Sequence, residues 1–313
     1  MPEKRNNISL VVMPVSELSR PCIALGILKS SLSGLPFDCD VSYANLKFAE
    51  KIGLKKHLLL IDAPGKGLVP EWIFSRYVFS GWQSPGEENY VRLVAKEFIK
   101  NAKLPPNQID NIVNWYYEIR EAAEKFVVDL AEQILQRSPI LVGCTSLFYQ
   151  HMPSLALLKA VKERSPDTLT VIGGANCEGI QGVTTIKEFP FVDIAFSGEA
   201  DVAFPEICRL AAKYRSAIPS NLLPYGAFDR SIAEKYLNVP DDKIPRAIVE
   251  DLDSCPPPDY DDYFDQLEKS ELKPRITPAL LFDSSRGCWW GQKHGCTFCG
   301  LNGAGIKYRK KDT

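Results

Sequence analysis

At 313 residues the chain has the length of about two average domains or one large one, enough to bury a sizeable core. With 45% hydrophobic, 24% charged and 10% aromatic residues it falls outside the collagen-like and disordered classes. Its 37 lysines and arginines against 39 aspartates and glutamates leave a formal charge of −2, so no positive field points to a nucleic-acid partner.

No apolar run reaches the roughly 18 residues that span a bilayer. The N-terminal MPEKRNNISLVV has a basic start but only a short apolar stretch before Pro14, without the long apolar core of a secretory signal. The expectation is a cytoplasmic protein with no membrane partner. Ile8 to Val12 predicts a strand closed by Pro14. Arg20 to Leu32 carries apolar residues at helical spacing and is stopped by Gly34 and Pro36. Asp38 to Leu46 predicts a second strand. Residues 55–136 are expected to form a packed helical insertion, ending in a long amphipathic helix over 109–137. On that helix Tyr116, Ala123, Phe126, Val127, Leu130 and Ile134 share one face.

The next stretch alternates more regularly. Short apolar strands end at Cys144, at Gly173-Gly174 and at Gly198, separated and followed by helical patterns over 152–164 and 203–215. Alternation of this kind predicts βαβ units and an α/β fold with a doubly wound parallel sheet. Residues 216–277 are rich in proline and carry acidic patches such as Asp259, Asp261, Asp262 and Asp265. They read as a linker running over a surface. Pro278 to Ser285 predicts a last strand. The organisation expected is therefore a domain over 1–215, a linker over 216–277, and the start of a second domain over 278–313.

Of the nine cysteines, Cys22, Cys39, Cys144, Cys177, Cys208 and Cys255 stand alone and read as small hydrophobes in a reducing compartment. The other three, Cys288, Cys296 and Cys299, are spaced C-x7-C-x2-C among glycines after the last strand. Such a cluster suits zinc or an iron–sulfur centre. Zinc would take His294 as fourth ligand. Three thiolates without a fourth leave one iron of a [4Fe–4S] cluster open to a substrate or cofactor. His57 reads as structural or exposed. His151 stands at a helix start beside a candidate cofactor loop, and Arg309, Lys310 and Lys311 read as a solvated basic end.

The run DSSRGCWWGQKHGCTFCGLNG resembles the cluster-binding loop of the radical S-adenosylmethionine (SAM) proteins that mature ribosomally made peptides. It shares their tryptophan pair, an aromatic (Phe298) before the last cysteine, and Gly-Leu-Asn after it. Its first gap is wider than the commonest C-x3-C-x2-C pattern, as is typical of this branch. The resemblance implies that Cys288, Cys296 and Cys299 hold a [4Fe–4S] cluster, that S-adenosylmethionine chelates the open iron, and that Phe298 shields the centre. Upstream, VGCTSLFYQ, VIGGANCEGIQG and IAFSGEAD resemble the flavodoxin-like cobalamin-binding domain that precedes the barrel in this branch. Glycines just past strand ends let a loop approach a ligand closely, and open α/β sheets bind ligands there.

By this resemblance the cobalamin contacts fall on Thr145, Ser146 and Gln150, on Gly173, Gly174, Ala175 and Asn176, and on Gly198 and Glu199. SELSRP after the first strand lacks the Asp-x-His-x-x-Gly element, so no histidine of that loop is expected on cobalt. The implied activity is methylation of an unactivated carbon of a ribosomal precursor peptide. A radical SAM barrel needs far more chain than follows Pro278, so the sequence reads as a gene fragment, a truncated chain or one part of a split enzyme whose barrel a second chain completes, and no methylation is expected of it alone. The alternatives are a non-catalytic cobalamin-binding module and a zinc-stabilised interaction protein.

Overall fold

The computed structural model describes residues 5–61, 67–82, 84–294 and 307–312; Cys296, Phe298 and Cys299 lie outside the described residues. Strand β1 (Asn6–Val12) is followed by α1 (Ile23–Ser30), β2 (Phe37–Tyr43) and α2 (Ala44–Ile52). The second strand stops three residues earlier than its composition suggests. From Ala44 onward the buried residues (Leu46, Phe48, Ala49, Ile52) recur at helical rather than strand spacing. Helices α3 (Leu54–Ile61), α4 (Val69–Val78), α5 (Glu87–Asn101) and α6 (Ile109–Leu135) form the insertion. Then β3 (Leu141–Thr145), α7 (His151–Arg164), β4 (Leu169–Gly173), α8 (Ile180–Glu188), β5 (Ile194–Phe196) and α9 (Phe204–Tyr214) alternate, with α8 a helix that the sequence pattern did not single out.

The strands assemble in the order β2-β1-β3-β4-β5, all parallel, which is the flavodoxin-like winding. Such a sheet must be buried on both faces, and every residue of β3 is. Alternate residues of β1 divide between two cores. Val11 joins Phe48, Phe74, Phe126 and Leu158 under the insertion, α7 and α8. Leu10 joins Leu25, Phe204, Ile207 and Tyr263 on the opposite face. No helix among the described residues is long and apolar enough to cross a membrane.

The proline-rich stretch does more than connect. It supplies β6 (Ala227–Phe228), antiparallel to β5 at the sheet edge, followed by α10 (Arg230–Glu234). It then passes beside Gly198 through a bridge with Ala247. Its helix α11 (Asp261–Glu268) buries Tyr263 and Leu267, and its side chains bond the outer edge of β2. The Val41 N–H donates to Asp262 and the Tyr43 N–H to Gln266, whose own amide donates back to the Val41 carbonyl. Prolines prevent a regular ladder, but they do not prevent burial of neighbouring side chains.

Residues Pro278 to Asp283 do not form the strand expected over Pro278 to Ser285, because no strand among the described residues pairs with them. Only Ser285–Arg286 (β7) pairs, antiparallel, with Arg309–Lys310 (β8), after the short helix α12 (Trp289–His294). The basic end is therefore not a solvated tail. Arg309 is buried, because Glu199 supplies a bidentate carboxylate for it.

Candidate functional site

The ends of β3 and β4 are stitched together by backbone. The Ser146 N–H donates to the Gly173 carbonyl at 2.7 Å, and the Asn176 N–H donates to the Ser146 carbonyl at 3.1 Å. Gly174 sits at φ 100°, and a Cβ there would lie 2.6 Å from the Ser146 carbonyl oxygen. Glycine is thus required by the chain's own backbone. Gly173 differs, since a Cβ would meet only Phe196 at an ordinary 3.5 Å.

The Ser146 hydroxyl is buried, accepts from the Asn176 side chain at 3.1 Å and lies 3.0 Å from Nδ1 of His151. Burial lowers the pKa of His151, keeping its ring neutral near pH 7. Ala175 opens the turn that carries Asn176. Gln150 turns inward, donating to the Met13 carbonyl and accepting from the Leu147 N–H, so it ties the ends of β1 and β3. The Thr145 carbonyl accepts from Ser154. Phe148, at φ 47°, is 86% exposed and stands free beside these ends.

Glu71 was not legible in the sequence as part of this site. From the insertion it reaches the start of α7, where its carboxylate accepts from the N–H groups of His151 (3.1 Å) and Met152 (2.6 Å). Burial raises its pKa and the two amide bonds oppose the rise, as expected of a carboxylate on otherwise unpaired helix donors. Its partners lie some 80 positions away, and no local pattern announces such a cap.

The third strand end is occupied differently. Gly198, at φ 89°, leaves room for the backbone of Ala247, whose carbonyl oxygen would lie 2.2 Å from a Cβ. The Glu199 carboxylate accepts from the Val249 N–H at 2.7 Å and from both terminal nitrogens of Arg309 at 2.8 Å. Its hydrogen-bonding capacity is engaged within the protein.

Between α1, α9 and the carboxyl halves of β1, β3, β4 and β5 lies a cavity of about 330 Å³. Leu10, Ile23, Val171, Phe196 and Phe204 give it apolar walls, and Gly143 contributes no side chain. Gly173, Gly174 and Gly198 border it, as do Asp201, Asp283 and Arg286.

The cysteine segment begins against that polar border. Gly287 takes φ 81° and Cys288 follows it, exposed, with its sulfur accepting the Gly291 N–H at 3.3 Å. Trp289 and Trp290 meet edge to face, and His294 lies against the Trp290 ring at 4.3 Å. No group of three or more potential ligands occurs among the described residues, which exclude two of the three clustered cysteines.

No family model matches the chain. It is 26% identical over 173 residues to an uncharacterized methyltransferase of Pyrococcus horikoshii, a match covering 55% of this chain and 33% of the relative. It is 25% identical over 185 residues to the cobalamin-dependent radical SAM methyltransferase TokK of Streptomyces tokunonensis, covering 59% of this chain and 25% of that protein. The chain is a distant relative of methyltransferases. The matches span a third or less of those relatives' own lengths. A solute-binding protein of Bacillus halodurans with bound myo-inositol aligns over 76% of this chain and 99% of its own, but at 11% identity and a TM-score of 0.20, which carries no argument.

Proposed function

We propose that the chain binds cobalamin across the carboxyl ends of β3, β4 and β5 and holds a [4Fe–4S] cluster on Cys288, Cys296 and Cys299. The observation carrying this reading is the apolar cavity, which lies at the strand ends bearing Ser146, Gly173 and Gly174. Its volume of about 330 Å³ suits a flat heterocyclic base such as the one ending cobalamin's nucleotide tail. The far larger corrin has the exposed strand-end loops, with Phe148 offering an apolar face. Bound there, cobalamin would supply a transferable methyl group, and a cluster on the three cysteines would supply reducing power toward S-adenosylmethionine.

The chain's own residues bind and orient. The Ser146 hydroxyl is held by Asn176 and His151 beside the ends of β3 and β4, apolar side chains line the cavity, and the Gly291 N–H donates to the Cys288 sulfur. The substrate in this reading is a ribosomally made precursor peptide, methylated at carbon. The peptide substrate rests on the likeness of the cysteine loop to those of peptide-maturing proteins, and the methylation on the distant likeness to a cobalamin-dependent radical SAM methyltransferase.

The test is direct. Hydroxocobalamin should co-elute with the full chain at about one per chain. Anaerobic reconstitution should give about four iron and four sulfide. Ala24→Trp, which fills the cavity from an exposed position on α1, should weaken cobalamin binding at least tenfold without lowering the melting temperature. Stoichiometric zinc without sulfide, or cobalamin retained equally by the filled variant, would overturn the reading.

A further inference from the structure

Little besides ionic contacts secures the chain on its way to Cys288. Phe282 is exposed, and over 277–283 the backbone is tied by Ala279 to Ser19 and by Tyr260 to Leu281. Then comes Arg286. Its two terminal nitrogens donate to the two oxygens of Asp201 at 3.0 and 2.8 Å, and its Nε donates to Asp283 at 2.8 Å. Glu199 lies 3.5 Å away. The side chains of Arg286, Asp201 and Asp283 are only 17%, 12% and 9% exposed. Burial opposes the charge of Arg286, but Asp201 and Asp283 outweigh it and raise its pKa further. Directly opposite in the β7–β8 pair, Arg309 holds Glu199 in the same bidentate way.

Surface ion pairs contribute little, but planar forks on carboxylates that are partly withdrawn from water fix orientation as well as distance. Asp201, Asp283 and Arg286 also form part of the cavity wall. An occupant of the cavity and the seated cysteine segment therefore share a boundary through which any coupling between them would be reciprocal.

We propose that Arg286 is a positioning residue: clamped between Asp201 and Asp283, it seats the chain two residues before Cys288 against the end of β5, so that filling the cavity and seating the cysteine segment are coupled. The coupling rests on the cavity reading given above; the seating does not.

Hydrogen exchange of the full chain, with and without hydroxocobalamin, tests both parts. In the wild type, the ligand should slow exchange at the amides of Arg286 to Gln292. Arg286→Lys keeps the charge but loses the fork. It should speed exchange there about tenfold, the size of one lost charge-assisted hydrogen bond, and weaken cobalamin binding by a similar factor. Exchanging the partners, Arg286→Asp with Asp201→Arg, should recover most of both. Arg92→Lys, at the exposed pair with Asp110, should change neither. Unchanged exchange in Arg286→Lys overturns the seating. Faster exchange with unchanged cobalamin affinity overturns the coupling alone. A wild type that binds no cobalamin overturns the cavity reading and the coupling, while the exchange of the unliganded variants still decides the seating.

Discussion

Between β1 and α9 the molecule is held mainly by apolar burial, with Leu158, Phe48, Phe126 and Ile172 packed on one face of the sheet and Leu10, Leu25 and Phe204 on the other. Beyond Arg215 side chains such as Phe228, Tyr263 and Leu267 still join those cores, and directional bonds add to them. Arg246 joins Glu178 and Asp241, Asp262 and Gln266 bond β2, Tyr263 donates to the Leu18 carbonyl, and Arg286 and Arg309 grip the loop after β5. Apolar burial is non-directional and roughly proportional to area, so its loss is felt across a whole core. Charge-assisted bonds are directional and local, and are screened by salt where they meet water. The first region should unfold as one unit, and the second should be able to open without it.

The comparison breaks most sharply at the glycines. Gly174→Val forces a side chain into the backbone of Ser146 in a left-handed conformation. Strain and overpacking together should cost about 4 kcal/mol, read as a large fall in the urea midpoint. Gly198→Val meets the backbone of Ala247 instead, so its main effect should be faster hydrogen exchange over 244–250 with a smaller loss of global stability. Equal global losses from the two would show that the regions unfold together. Gly173→Ala is the control and should cost under about 1 kcal/mol, because its Cβ has space.

A smaller contrast sets packing against hydrogen bonding directly. Leu158→Ala leaves a void in a fully buried layer and should cost about 3 kcal/mol in equilibrium unfolding. Gln266→Ala removes two bonds to β2 and should cost about 1 kcal/mol, with faster exchange confined to Val41 to Tyr43 and α11. A global loss from Gln266→Ala as large as that from Leu158→Ala would abolish the distinction.

The smallest effect is on pH. His57 is fully buried against the Ser16 carbonyl, and burial lowers its pKa below the unfolded value. The unfolded chain therefore binds the proton more readily. Stability from this group is intact above about pH 6.5 and is lost as pH falls towards the folded pKa. His57→Gln should flatten the melting-temperature profile between pH 7.5 and 5.0; an unchanged slope would refute the assignment.

The same contrast explains what the sequence makes legible. Strands ending at Thr145, Gly173 and Phe196, and the helix over Ile109–Leu135, are written in local periodicity and glycine punctuation, because burial imposes a period. Ser146 and Gly174 were marked in the sequence as strand-end positions, and the structure ties Gly174 to the backbone of Ser146. Glu71, Asp201, Arg286 and Arg309 were not. Their partners are chosen by tertiary proximity, and an isolated arginine or carboxylate looks the same in a solvated turn as in a clamp. That is also why the expected basic tail proves to be a buried pair.

The hold of α11 on β2 has a consequence beyond local stability. An outermost strand with open N–H and C=O groups is a template on which another chain can add, the usual beginning of edge-to-edge aggregation. Here Asp262 and Gln266 engage the Val41 N–H, the Tyr43 N–H and the Val41 carbonyl, while the opposite edge strand is only two residues long. The carboxyl half of the sheet's longer edge is therefore closed to recruitment, and a variant that frees α11 should expose it.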